Sequence, residues 1–175
     1  IVMALTVVIS LVTGLAFRKK FFGSNLLFYT TVASLIVPSI LVSLGIGLIF
    51  NIMGWEVSWT TSGLGAHLTW TLPFGFLIMI AVFNRFDKSY EEAARDLGAS
   101  NWQTIRHVVL PIIGPSLIGV ALFGFTLSYD EFARTLMTSG VKNTLPLEIF
   151  GMTTNVTTPT LYALGTLTTF FSLFM

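Results

Sequence analysis

The segment that decides how this chain is read is SYEEAARDLGASNWQTIRHVVLP, from Ser89 to Pro111. Ser89 followed by Glu92 is a capping-box pattern, worth about 1 kcal/mol at a helix start. Tyr90, Ala93, Ala94 and Leu97 then recur at helical spacing and form one apolar face, ringed by Glu91, Glu92, Arg95 and Asp96. Gly98 is the expected left-handed cap. Ser100 and Gln103 repeat the capping pattern and open a second helix with an expected face of Trp102, Ile105, Val109 and Ile112. Pro111 marks the passage into an apolar run. Two readings of the first helix are open: it docks a partner, or it lies on lipid. Methyl side chains at Ala93 and Ala94 permit close approach of another surface. A lipid-lying helix favours large apolar residues and a basic face, so alanines with mixed charge point to docking.

Apolar sequence flanks this segment on both sides. Residues 1–17 are apolar up to Phe17 and end at Arg18-Lys19-Lys20. A second run extends from Leu26 to Phe50 with Pro38 inside it, and a polar stretch with Trp55 and Trp59 follows, from Asn51 to Ser62. A third run covers Gly63 to Phe83 around Pro73, and a fourth covers Ile112 to Ser128. Residues 134–158 are a polar connection, and a fifth run begins at Leu161. The complete runs hold 17 to 25 residues, enough for a helix to cross about 30 Å of hydrocarbon. Mean hydropathy is +0.84, and only 10% of residues are charged against about 25% in soluble domains. The expected fold class is therefore an all-α membrane protein with about five transmembrane helices. The first and last are expected to be truncated, because the chain opens at Ile1 and stops at Met175 inside apolar runs. No charged n-region precedes Ile1, so a signal peptide is a poor reading. A net charge of +1 gives no footing for nucleic acid, and the absence of cysteine excludes disulfides and thiolate metal sites.

Charge sets the expected orientation. If the end of the first run and residues 84–111 share a side, that side holds seven of the nine basic residues. Short loops rich in Lys and Arg stay cytoplasmic, and strict alternation of the spans gives the same answer. Trp55, Trp59 and Trp70 then lie near the outer face, although Trp70 reads equally well as helix packing.

The same segment resembles the cytoplasmic signature of the permease subunits of ABC importers: Glu-Ala-Ala, three residues, Gly, nine residues, Ile, one residue, Leu-Pro. Here stand Glu92-Ala93-Ala94, Gly98, Val108 and Leu110-Pro111, with Val108 for Ile the single departure. The resemblance implies a type I ABC-importer permease bundle in the inner membrane, one partial permease domain over 1–175, with 84–111 as its coupling loop. A parent with six spans is the family expectation. Glu92, Ala93, Ala94 and Gly98, with Leu97 on the same face, become the expected contact with the ATP-binding subunit. The chain has no G-x-x-x-x-G-K-[ST] phosphate loop, so ATP and Mg are expected on that partner. A second permease subunit and an extracytoplasmic solute-binding protein complete the implied assembly, which works by alternating access.

The cluster Ser128-Tyr129-Asp130-Glu131 marks the expected substrate pathway at the outer end of the fourth span. A helix continuing from Pro115 to Arg134 would hold Asp130 and Glu131 near the membrane boundary, where each ionised group costs about 2.5–3.5 kcal/mol unless it faces a cavity or a partner. Two readings are open: a mouth that attracts cations, or local salt bridges to Arg134. The outer side sums to −2 and the inner to +3, which favours cationic solutes but also follows from positive-inside topology. The run Ser128–Gly140 and Thr144-Leu145-Pro146-Leu147-Glu148-Ile149 looks like spermidine/putrescine-type permeases, which makes polyamine the expected small-molecule substrate. Permeases for phosphonate, ferric iron, amino acids and other small solutes share much of this pattern.

Other features carry less. His67 and His107 fall on opposite sides in this topology and cannot share a metal, and His67 is expected to make an interhelical polar contact. Pro38 and Pro73 are expected to reflect ordinary packing within spans. No two glycines stand in G-x-x-x-G. The complete spans hold no Asp, Glu, Lys or Arg in their central portions, which leaves no catalytic pair for an intramembrane enzyme and no ionisable group for a secondary carrier.

Overall fold

The computed structural model describes residues 1–155 and 159–174, and no strand occurs among them. The polar connection expected to reach residue 158 therefore has its last three positions, and the fifth run its terminal Met175, outside the described residues.

Helix α1 covers Val2–Phe17 and stops where Arg18-Lys19-Lys20 arrives. The expected second span is broken into α2, Ser24–Ser34, and α3, Ser39–Ile52. Pro38 is the cause. It lacks an N–H, its ring collides with the carbonyl four residues back, and it drives Val37 out of the helical region. Helix α3 starts afresh, with the Pro38 carbonyl accepting from the Leu41 and Val42 amides at 3.0 and 3.3 Å. Pro73, by contrast, lies inside the unbroken helix α4, Leu64–Arg85. A π-helical turn at Trp59–Gly63 leads into α4, and together they make 27 residues long and apolar enough to cross a membrane.

Helix α5 is Ser89–Asp96 and α6 is Asn101–Thr104. A second π turn, Ile105–Val109, joins α6 to α7, Leu110–Tyr129. This continuous stretch of 29 residues is also of spanning length and composition. Pro111 therefore continues a helix rather than opening one, and the wider turn just before it relieves the clash its ring makes in regular α geometry. Within the expected polar connection lies α8, Leu145–Asn155, and α9 runs Pro159–Phe174.

The helices pack as two compact units, one of residues 1–34 and 71–125, the other of 35–70 and from 126 onward. In the first, α1 turns Thr6, Ser10 and Gly14 inward. Lipid tails are as apolar as leucine, so membrane helices associate through close packing and hydrogen bonds between small residues. The Thr6 and Thr71 hydroxyls bond at 2.7 Å. A Cβ on Gly124 would meet Thr6 Cγ2 at 3.3 Å, and one on Gly75 would collide with Ser10 Oγ. The small-residue stripe of α1 is thus the counterpart of two glycines on its neighbours. Below it, Met79, Phe83, Val109, Ile113 and Val120 form the buried apolar cluster.

Gly14 tests this packing. Its Cβ would lie 2.8 Å from Met79 Cβ, so Gly14→Ala should lower the thermal midpoint of the detergent-purified subunit, with overpacking costing about 1–3 kcal/mol. Gly114→Ala, with nothing within 4 Å, should match or raise that midpoint. Equal shifts for both variants would contradict the stripe.

Candidate functional site

In the first unit the turn between α4 and α5 is held by Asp87, whose Oδ1 accepts the Ser89 N–H at 2.9 Å. This corrects the expected Ser89–Glu92 box. The Lys88 carbonyl already accepts from the Glu91 and Glu92 amides, so Ser89 lies inside the first turn, where its hydroxyl cannot cap. The bonds from the Ser89 backbone and side chain hold the Asp87 carboxyl below its ordinary pKa.

Glu91 does not ring the outer face as the sequence suggested. It is 7% exposed and receives both arms of Arg18, Nη1 to Oε1 at 2.6 Å and Nη2 to Oε2 at 2.9 Å. The guanidinium also lies 5.2 Å from the Phe83 ring centre and 5.4 Å from that of Phe86. Hydrogen bonding from Arg18, opposed by burial, lowers the Glu91 pKa. The Arg95–Glu91 contact on the same helix is long, 3.9 Å, and its arginine is exposed, so it adds at most about 0.5 kcal/mol. The Arg18 pair is the one that holds α5. It also brings the basic end of α1 and residues 84–96 to one end of this unit, as the charge argument required.

With Glu91 turned inward, the opposite side of α5 is left open. Leu97 is 90% and Tyr90 55% exposed; Glu92, Ala93 and Gly98 are exposed and Ala94 is half-buried. Gly98 takes φ +85°. Its amide bonds to the Arg95 carbonyl at 2.8 Å and that of Ala99 to Ala94 at 3.0 Å, the paired bonds of a Schellman cap. Ser100 and Gln103 form the expected reciprocal capping box, at 3.3 and 2.8 Å. The face that follows is the expected one only in part. Val109 is buried and Ile105 half-buried as expected, but the π turn shifts the register, so Thr104 and Ile113 are buried while Trp102 and Ile112 are exposed.

In the second unit α7 ends at Tyr129, and Asp130 to Gly140 form turns rather than the expected continuation to Arg134. The two acidic residues part company there. Glu131 is buried, and its Oε1 accepts the Arg134 backbone N–H at 2.9 Å. Among the described residues neither carboxylate lies within 4.0 Å of the Arg134 guanidinium, so the expected salt bridges are absent. Arg134, 1% exposed, instead donates Nη1 to Thr69 Oγ1 at 2.5 Å and Nε to Ser39 Oγ at 3.3 Å, with Trp70 stacked at 4.9 Å. His67 makes the expected interhelical contact, Nδ1 to Ser128 Oγ at 2.8 Å and Nε2 to Thr135 Oγ1 at 2.9 Å. The Thr135 hydroxyl donates to the Glu131 carbonyl, so a neutral imidazole with its proton on Nε2 satisfies every member of the chain.

Asp130 is exposed and lines an open cavity of about 410 Å³ with Tyr129, Phe132, Leu145, Pro146, Ile149, Phe150, Thr153 and Thr168. Of the expected pathway residues, Tyr129 and Asp130 reach this cavity and Glu131 does not. Phe132 and Phe150, with ring centres 4.9 Å apart, were missed, because nothing in their spacing separates them from lipid-facing phenylalanines. Arg18 and Glu91 were missed as a pair because they stand 73 residues apart.

Residues 6–175 match the family described as the inner membrane component of binding-protein-dependent transport systems, and the chain belongs to that family. It is a multi-pass protein of the inner membrane. It is 33% identical over 152 residues to the spermidine/putrescine transport system permease protein PotC of Haemophilus influenzae, covering 86% of this chain and 57% of that protein. Identity to PotC of Escherichia coli K12 is 32% over 163 residues, 91% of this chain and 59% of that protein. A probable sulfate transport system permease protein, cysT of Chlorella vulgaris, is 38% identical over 116 residues, 63% of this chain and 42% of that protein. The chain thus spans less than three-fifths of the length of these relatives.

Because its folded pKa is depressed, Glu91 contributes stability that is full above its ordinary value of 4.5 and lost as pH falls through the lowered one. Lys88, Arg95 and Arg18 all face it and act in the same direction. Amide hydrogen exchange in residues 87–99, corrected for intrinsic rates, should therefore accelerate on acidification below 4.5. Glu91→Gln should show the faster exchange already at neutral pH; a pH-independent profile in the parent protein would count against the pair. Gly98→Ala forces a Cβ into the left-handed region, which costs about 1–2 kcal/mol, and should speed exchange at the C-terminal end of α5.

Proposed function

We propose that this chain is the membrane-spanning part of a permease subunit of an ATP-driven importer, driven through α5 by a separate ATP-hydrolysing subunit. The observation that carries this reading is the open face of α5. Tyr90, Ala93 and Leu97 are presented on a short helix that is capped at its C-terminal end by Gly98, while its only buried carboxylate anchors it from behind. A helix lying on lipid would have no need of such an anchor, and its alanine face would gain little from burial in lipid. ATP and Mg act on the partner, on the cytoplasmic side that the basic residues mark. A second permease subunit and an extracytoplasmic solute-binding protein complete the assembly, and transport proceeds by alternating access.

Polyamine is the cargo we favour over an oxyanion. The cavity of the second unit joins one exposed carboxylate, Asp130, to the rings of Tyr129, Phe132 and Phe150. A carboxylate with aromatic faces suits an ammonium group on an aliphatic stem. The two PotC relatives point the same way. The sulfate permease is the competing precedent, but none of the residues lining this cavity is basic.

Single cysteines at Ala93 and Leu97, in the full-length subunit assembled with its partners in inverted vesicles, should crosslink to the ATPase subunit in a nucleotide-dependent way. Free labelling of both by a water-soluble reagent without crosslinking would refute docking. Asp130→Asn should reduce spermidine uptake by about tenfold, roughly 1.4 kcal/mol, with assembly intact. Glu131→Gln, which alters the acceptor of the Arg134 amide, should act mainly on thermal stability. Equal loss of uptake in both variants at unchanged stability would contradict the division of roles.

A further inference from the structure

Helix α5 is eight residues long and is joined to its neighbours by short turns, so a force applied to its open face could swivel it without moving a span. The one charged group on its hidden side is Glu91, and the Arg18 guanidinium grips both of its oxygens. Arg18 follows directly on α1. Its guanidinium also lies over the rings of Phe83, on α4, and Phe86, in the turn to α5, at 5.2 and 5.4 Å, two further contacts that it would have to give up to follow Glu91 by rotating. Helix α1 is locked in turn to α4 through Thr6–Thr71 and the Gly14–Met79 contact, and to α7 through Thr6 against Gly124. A continuous run of contacts therefore leads from the back of α5 into the core of the first unit.

We propose that Arg18 is a positioning residue for energy coupling: its two-point grip on Glu91 makes α5 and α1 move as one body, so that displacement of α5 reaches the spans. This rests on the reading of α5 as the element docked by the ATPase subunit. It predicts that the pair can be broken without loss of docking, and that the loss then appears as wasted hydrolysis rather than as weaker assembly.

The test uses the full-length subunit in its complete transporter, reconstituted in liposomes, with Arg18→Gln, Glu91→Gln, the double variant and Arg18→Lys. Spin labels on cysteines at Asp96 and Val12, both exposed, report the α5–α1 distance by a readout independent of the cargo. The parent should give one narrow distribution, the same with and without nucleotide. Arg18→Gln and Glu91→Gln should each broaden it, make it respond to nucleotide, and lower spermidine uptake per ATP hydrolysed by about tenfold. The double variant should be no worse than either single one, since both remove the same contact. Arg18→Lys, which keeps the charge but loses the two-point geometry, should fall between. Distributions in all variants as narrow as in the parent would overturn the proposal, and where Arg18→Gln fails to assemble, an unbroadened Arg18→Lys does the same. Leu97→Cys crosslinking to the ATPase subunit is measured alongside. If it is absent from the parent, the docking reading fails; if it persists in every variant while the α5–α1 distance stays fixed, only the present proposal fails.

Discussion

The first unit depends on the close approach of α1 to its neighbours. In water, an apolar helix is driven into a core by the hydrophobic effect. In a bilayer that force is nearly absent between helices, and what remains is contact and hydrogen bonding. Thr6, Ser10 and Gly14 supply both, because they are small enough to admit backbones and because Thr6 can bond to Thr71. Each such bond is worth about 0.6 kcal/mol, so the steric match at Gly14, Gly75 and Gly124 must contribute the rest.

That packing places the end of α1 where Arg18 can reach Glu91, and the consequences reach the protein surface. An eight-residue helix is too short to be stable alone. Helix α5 persists because Asp87 holds the turn before it, a Gly98 cap closes its end, and a charged pair beside two phenyl rings holds it from behind. Burying Glu91 is what leaves the opposite face uncovered. The open face and the hidden pair are two sides of one arrangement, and a single helical turn separates them.

The second unit uses buried polar groups differently. Residues 131–139 hold Glu131, Arg134, Thr135, Thr138 and Ser139 away from solvent, and the side-chain hydrogen bonds that Glu131, Arg134, Thr135 and Thr138 make go to neutral partners. Arg134 finds two hydroxyls and an indole ring, while Glu131 finds a backbone amide. With Glu131 bonded to the chain itself, Asp130 is the one carboxylate among the described residues that line the cavity. An acidic pair that is symmetrical in sequence thereby becomes one structural and one exposed group.

Much of this was legible in the residues. Apolar runs of spanning length dictate helices because lipid cannot satisfy an open backbone, and Gly98, Ser100 and Gln103 dictate their own caps because capping is local. The spacing of Glu92-Ala93-Ala94, Gly98 and Leu110-Pro111 carries the resemblance to the permease family to which the chain belongs. The break at Pro38 was also locally coded, and the spanning length of the run obscured it. The Thr6–Ser10–Gly14 stripe, with its four-residue spacing, could have been found had small residues other than glycine been counted. What only the tertiary structure decided were pairings across long stretches of chain: Arg18 with Glu91, Arg134 with Thr69 and Trp70, Phe132 and Phe150 around Asp130. Sequence spacing determines which residues share a helical face, but which face meets which depends on how whole helices pack, and across one π turn at Ile105–Val109 the expected face keeps Val109 in the core and leaves Trp102 and Ile112 outside it.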